Sequence, residues 1–261
     1  MQTPDISYFS LFVCSLLLII PFAVSIVLKL GLVRDGLISV LRMAAQLVLI
    51  GVFLKYLFQL NNPFVNIGWL LAMVTVATFN VIQKVKVNMR IFFAPILFSL
   101  IVATFCTVMY FNIFVIRLSD ITDARFLVVI GGMLLGNSLR GDIIGIDNFY
   151  KALQRNEQRR LYALASGATL FESLVPYFRE SLIAALQPTI ATMATMGIVF
   201  LPGMMTGQIL GGVSPILAIK YQIAIMVAIF TATTIAINMA ILLTIRTCFN
   251  AYGVLKEQIF R

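Results

Sequence analysis

VFLPGMMTGQILGGVSPILAIKYQ, residues 199–222, joins a proline to three glycines at four-residue spacing and a pair of methionines. Gly203, Gly207 and Gly211 fall on one face of a helix, where small residues let a second backbone approach closely, as they do between helices in a membrane. Pro202 is expected to distort that helix just before Met204, Met205 and Gln208, whose thioethers and amide are unusual company inside a bilayer. Two readings stay open: a helix-packing face, and the lining of a transport pathway.

The rest of the chain agrees that the solvent is lipid. Of 261 residues, 61% are hydrophobic and 11% charged, and the mean hydropathy is +1.02. That is too apolar for an ordinary soluble domain. Apolar runs long enough to cross about 30 Å of hydrocarbon are expected near 8–28, 39–60, 64–83, 91–113, 125–145, 189–210 and 223–245. The expected architecture is therefore all-α: one transmembrane domain over residues 1–261 with about seven spans. Of the 19 Lys and Arg residues, all but Lys55, Arg117, Arg125 and Lys220 collect on one side. By the positive-inside rule the N-terminus is outside and the C-terminus cytoplasmic. The segment before the first span holds Asp5 and no Lys or Arg, unlike the basic start of a cleavable signal, so the first helix is expected to be retained. The net charge of +9 belongs to this topology. No basic stripe with interleaved aromatics points to nucleic acid. Cys14, Cys106 and Cys248 are too far apart in sequence for a CxxC metal site and indicate no disulfide framework.

One cytoplasmic connection, about 146–188, is far longer than the others. Its apolar residues, among them Leu153, Leu161, Leu164, Phe171, Leu174 and Leu182, recur at helical spacings among polar ones. The pattern predicts two amphipathic helices with Gly167 between them, Thr169 near the second N-cap and Glu172 three residues on. Such an element lies along the membrane surface or docks into a partner.

GATLFESLVPYFRESLIAALQPT, from Gly167 to Thr189, resembles the coupling segment of ABC transporter permeases, in which a glycine turn follows a short helix inserted into the ATPase subunit. GGMLLGNSL at 131–139, LPGMMTGQILGG and SPILAIKYQI narrow the likeness to iron-export ABC permeases of the FetB type. The resemblance covers most of the chain and is most specific from Ile130 to Ile223. It implies a permease homodimer in the plasma membrane, a bacterial inner membrane, exporting iron by alternating access. Plant half-transporters linked to aluminium tolerance are similar, so the resemblance leaves the cargo open. It also implies ATPase-coupling roles for Gly167, Ala168, Thr169, Glu172 and Arg179. The glutamate that usually opens the loop motif is replaced by Leu161, and Glu157, one turn earlier, is the acidic residue placed to substitute for it.

No GxxxxGK[ST] phosphate loop is present, so the chain is not expected to hydrolyse ATP itself; the resemblance implies a separate ATPase subunit that binds ATP and Mg, and no cofactor on this chain. The chain has no histidine, and no carboxylate falls near the middle of an expected span, which argues against intramembrane hydrolysis. Candidate pathway residues are Met133, Asn137, Met204, Met205 and Gln208, with Met193, Met196 and Asn238 on the same helices. Thioethers suit soft ions and amide oxygens harder ones, so metal ligands are not assigned. Gly132 and Gly136 join Gly203, Gly207 and Gly211 as candidate packing positions, as do Gly141 and Gly145. Arg42 and Gln46, one turn apart in the second span, are expected to lie toward the cytoplasmic interface, where the arginine snorkels. Two other functions remain open on the sequence: an ABC permease for another cargo (a lipid, sugar nucleotide or thiol conjugate), and an ATP-independent carrier or membrane scaffold.

Overall fold

The computed structural model describes residues 7–250, 253–256 and 259; Asp5 and Arg261, which entered the charge reading, lie outside them. The described residues form helices α1 (Tyr8–Ser15), α2 (Ile19–Val27), α3 (Val33–Leu60), α4 (Pro63–Val85), α5 (Met89–Tyr110), α6 (Ala124–Arg155), α7 (Glu157–Ala165), α8 (Leu170–Thr195), α9 (Gly203–Leu210) and α10 (Pro215–Cys248). A 3₁₀ turn joins α1 to α2, and a π turn, Phe111–Ile116, extends α5.

The helix starts are written in local chemistry. Asn62, Asn88, Asp123 and Ser214 each accept a backbone N–H of the first turn on a side-chain oxygen, at 2.9, 3.1, 2.9 and 3.4 Å. Pro63 and Pro215 stand at first-turn positions, where no N–H is missed.

Helices α4, α5, α6, α8 and α10 form the core. Lipid is as apolar as leucine, so close packing rather than escape from water holds such helices together. Glycines on α6 supply it. A Cβ at Gly131 would meet Leu70 Cδ1 at 2.8 Å, one at Gly141 would meet Thr233 Cγ2 at 2.6 Å, and one at Gly145 would meet Ile237 Cγ2 at 2.8 Å. Ala228, Ala232, Ala236 and Ala240 make a buried four-residue stripe on α10. At one end of the bundle, Phe92 and Tyr150 meet edge to face at 5.1 Å.

The contacts of Gly141 and Gly145 advance together along α10, so α6 and α10 run in the same direction. The chain between them must therefore return from one end of the bundle to the other. It does so in two pieces, which corrects the expected continuous span at 189–210. Helix α8 ends at Thr195, Met196 turns extended, and Gly197 takes a left-handed φ of +84°. Gly197 N–H closes this turn on the Phe200 carbonyl at 2.9 Å. Pro202 thus kinks no helix; it stands just ahead of α9 as its N-cap residue. Among the described residues, six helical segments are long and apolar enough to cross a membrane: Phe9–Val27, Val33–Leu60, Pro63–Val85, Met89–Ile116, Ala124–Arg155 and Pro215–Cys248.

Nor is 146–188 a separate loop. Its first residues are the last turns of α6, α7 follows, and the remainder belongs to α8, which tolerates Pro176 and Pro188 in its interior. With α6 extended to Arg155, Asp142 falls well inside a spanning helix, where the sequence reading placed no carboxylate. It is 0% exposed, and neither carboxylate oxygen has a hydrogen-bond partner among the described residues.

Candidate functional site: a cavity beside the broken helix

A cavity of about 440 Å³ lies between α6, α8, α9 and α10. Met196, Phe200 and Pro202 of the turn after α8, with the start of α9, form part of its wall. Discontinuous helices line substrate sites in many transporters, where their ends and unwound backbone face the substrate. Helix α6 contributes Met133, Asn137 and Arg140, one face of the helix over two turns. Helix α8 contributes Thr189, Thr192 and Met196, and α10 contributes Gln222 and Met226.

The structure gathers Met133, Asn137 and Met204 of the sequence candidates at this cavity. Met205 is the buried residue of α9 and Gln208 has its Oε1 buried and unpartnered among the described residues; neither lines the cavity. Asn137 donates its amide N–H to the Met133 carbonyl at 2.8 Å, which leaves Oδ1 as its remaining polar atom. Asn238 is occupied in the same way, donating to Thr234 at 2.8 Å, and does not line the cavity. Gln222, the last residue of the opening stretch and not among the sequence candidates, is buried with Oε1 unpartnered among the described residues. Arg140 is the one charged lining residue.

Of the candidate packing glycines, Gly132 would bring a Cβ to 3.1 Å from Met73 Cε, and Gly136 has nothing within 4 Å. Gly203 and Gly207 also have open space, and Gly211 meets only the carbonyls of its own helix. Their face is uncovered in this chain. Gln46 lines a separate groove with Trp69, Gly132 and Gly136.

The second candidate region is the α7–α8 hairpin. Gly167 has φ +95°, a turn that only glycine enters without strain, and Ala168 follows it. Thr169 caps α8 as a full capping box. Its Oγ1 accepts the Glu172 N–H at 3.3 Å, while its backbone N–H and hydroxyl donate to Glu172 Oε2 at 2.8 and 2.7 Å. Those bonds, the backbone one first, hold the Glu172 carboxyl below the usual range. Glu157, Leu161, Glu172 and Arg179 are all exposed.

Sequence reading missed Arg160. It is 1% exposed, donates through Nη1 to the Gly253 carbonyl, and stacks over the Phe249 ring at 5.3 Å. The tail after α10 thereby holds the hairpin. A Cβ at Gly253 would lie 3.1 Å from Leu164 Cδ1, and Asn88 N–H donates to the Ile259 carbonyl at 2.8 Å, tying in the α4–α5 connection.

The family model described as "Uncharacterised protein family (UPF0014)" matches residues 8–249. The chain belongs to that family. It is similar to the "Probable iron export permease protein FetB" of Escherichia coli (strain K12), 28% identical over 96% of this chain and 95% of that protein. It is similar as well to "UPF0014 membrane protein slr1647" of Synechocystis, at 30% over 81% of this chain and 82% of the other. The "Protein ALUMINUM SENSITIVE 3" of Arabidopsis thaliana matches at 30% over 80% of this chain and 75% of its own length. No solved structure matches the chain. This UPF0014 chain is a multi-pass membrane protein, related over nearly its whole length to a protein named as a permease.

Proposed function

We propose that this chain is the membrane-spanning subunit of an ABC exporter that moves iron out of the cytoplasm by alternating access. A separate ATPase subunit binds ATP and Mg and drives the cycle. The observation that carries the reading is the cavity at the interrupted α8–α9 crossing, in a chain aligned over 96% of its length with a probable iron export permease. The broken crossing supplies a seventh traverse, consistent with an N-terminus outside and a C-terminus in the cytoplasm of a bacterial inner membrane. The exposed α7–α8 hairpin is the ATPase contact, with Glu157, Leu161, Gly167, Ala168, Thr169, Glu172 and Arg179 at or beside it. Two copies form the permease, with the open face of Gly203 and Gly207 available to the second copy. Hydrolysis at the hairpin's partner is felt at the cavity because α8 is one helix from Leu170 to Thr195.

The test is ATP-dependent accumulation of iron in inside-out vesicles that carry the chain and its ATPase, against a hydrolysis-dead partner. Uptake that requires the active ATPase supports iron export. Stimulated hydrolysis without iron movement keeps the permease and removes the cargo.

A further inference from the structure

We infer that the cavity takes its cargo as a metal complex with net negative charge, held through Arg140, and not as a bare divalent cation. The inference rests on the transport reading above and specifies its substrate class.

Three features of the cavity lead to it. Its volume of about 440 Å³ falls in the range of small-molecule pockets, roughly 300–1,000 Å³, whereas an ion bound by protein alone needs only a shell of ligands about 2.0–2.6 Å away. Its lining holds no Asp, Glu, His or Cys, and no group of three such residues able to hold a metal occurs among the described residues. The anionic oxygens that hard divalent ions demand are therefore missing. Finally, its one charged group is positive. Arg140 has no ion pair or hydrogen bond among the described residues, the ion pairs there being Arg125–Asp123 and Lys151–Asp147. An unneutralised guanidinium in the lining raises an electrostatic barrier to cations.

Asp142 does not cancel that charge. Two residues along a helix is about 200° of rotation, so it points away from the Arg140 face, and it is not among the lining residues. The rest of the lining suits a complex. The Arg140 fork matches carboxylate oxygens in bidentate fashion. Asn137 and Gln222 add neutral polar atoms, and the thioethers of Met133, Met196, Met204 and Met226 form a polarisable wall that adapts to shape. The methionines here shape the pocket around a metal that arrives with its own ligands.

The experiment is equilibrium dialysis of the full chain in nanodiscs against radiolabelled ferric citrate and, separately, ferrous ion kept reduced with ascorbate. Ferric citrate is expected to bind, metal-free citrate to compete, and ferrous ion to be left out. R140Q should weaken citrate binding at least tenfold, and R140K should restore part of it. Arg140 is exposed, so both variants are expected to fold, which elution in size-exclusion chromatography checks. Absence of citrate binding, citrate binding indifferent to R140Q, or ferrous binding that R140Q leaves unchanged or strengthens would each overturn the inference. Its failure is separable from that of the transport reading. Arg140-dependent citrate binding without ATP-driven iron movement in vesicles keeps the anionic site and removes the transporter. Iron movement with citrate binding indifferent to Arg140 does the reverse.

Discussion

Helices α3 and α10 are equally apolar, yet no residue in the most apolar window of α3 is buried, while more than half of the corresponding window of α10 is. The difference lies in side-chain size along one face. Helix α10 buries Ala228, Ala232, Ala236 and Ala240 and sets Thr233 and Ile237 against Gly141 and Gly145 of α6, so the helices come close and dispersion contacts accumulate. On α3, Leu41, Leu47, Val48, Leu49 and Val52 cover the surface all round and stay exposed, touching the bundle chiefly near Leu57. Hydropathy tells which helix enters lipid. Small-residue spacing tells which one finds a neighbour.

That contrast is sharpened most by removing bulk from the core. Phe92→Ala, at a fully buried site against Tyr150, should cost about 3–5 kcal/mol. Val48→Ala, on the exposed flank of α3, should stay within about 0.5 kcal/mol. Thermal unfolding of the two variants in one detergent makes the comparison, and equal losses would erase the distinction between the regions. Next in size is added bulk. Ala236→Leu should destabilise by about 1–3 kcal/mol through overpacking, whereas Ala45→Leu, exposed on α3, should leave the unfolding midpoint in place.

Arg160→Ala removes a charged donor and a ring contact from the hairpin clamp, at a cost of about 1.5–3 kcal/mol. Its readout is faster hydrogen exchange in α7 and the tail, with the centre of α10 unchanged. The smallest effect concerns acid. Glu172 has a lowered folded-state pKa, so its capping contribution is complete above the ordinary carboxylate value and is lost as pH falls through the lowered one. Hydrogen exchange in the first turn of α8 should speed up over that window in the native chain. Glu172→Gln should show no such acid step.

Helix starts were legible because they depend on neighbouring residues: Thr169 with Glu172 and the Gly167 turn are readable within six positions. The crossing at 189–210 was not. Hydropathy averaged over it hides a seven-residue turn, and the decisive element was Gly197 with Pro202 five residues on, not the proline acting on a helix already formed. Met133, Asn137 and Met204 could be proposed from chemistry alone, but Gln222 and Arg140 join them only through the packing of α10 and α6. The Arg160 clamp was invisible for a similar reason. Its partner, the Gly253 carbonyl, is a backbone atom 93 residues away, which no side-chain pattern announces.

Asp142 has a consequence for biogenesis. Helix α6 carries a buried carboxylate, unpartnered among the described residues, together with Arg140, and at a helix centre each such charge adds about 2.5–3.5 kcal/mol to insertion from the translocon. The helices made before it, α4 and α5, pack against α6 in the folded chain. Helix α6 should therefore leave the translocon against them and not singly into lipid. The face bearing Gly141 and Gly145 then stays uncovered until α10, some 75–90 residues later in the chain, is synthesised. Nascent chains stalled before α10 are therefore expected to be cleared by membrane quality-control proteases faster than the full-length chain.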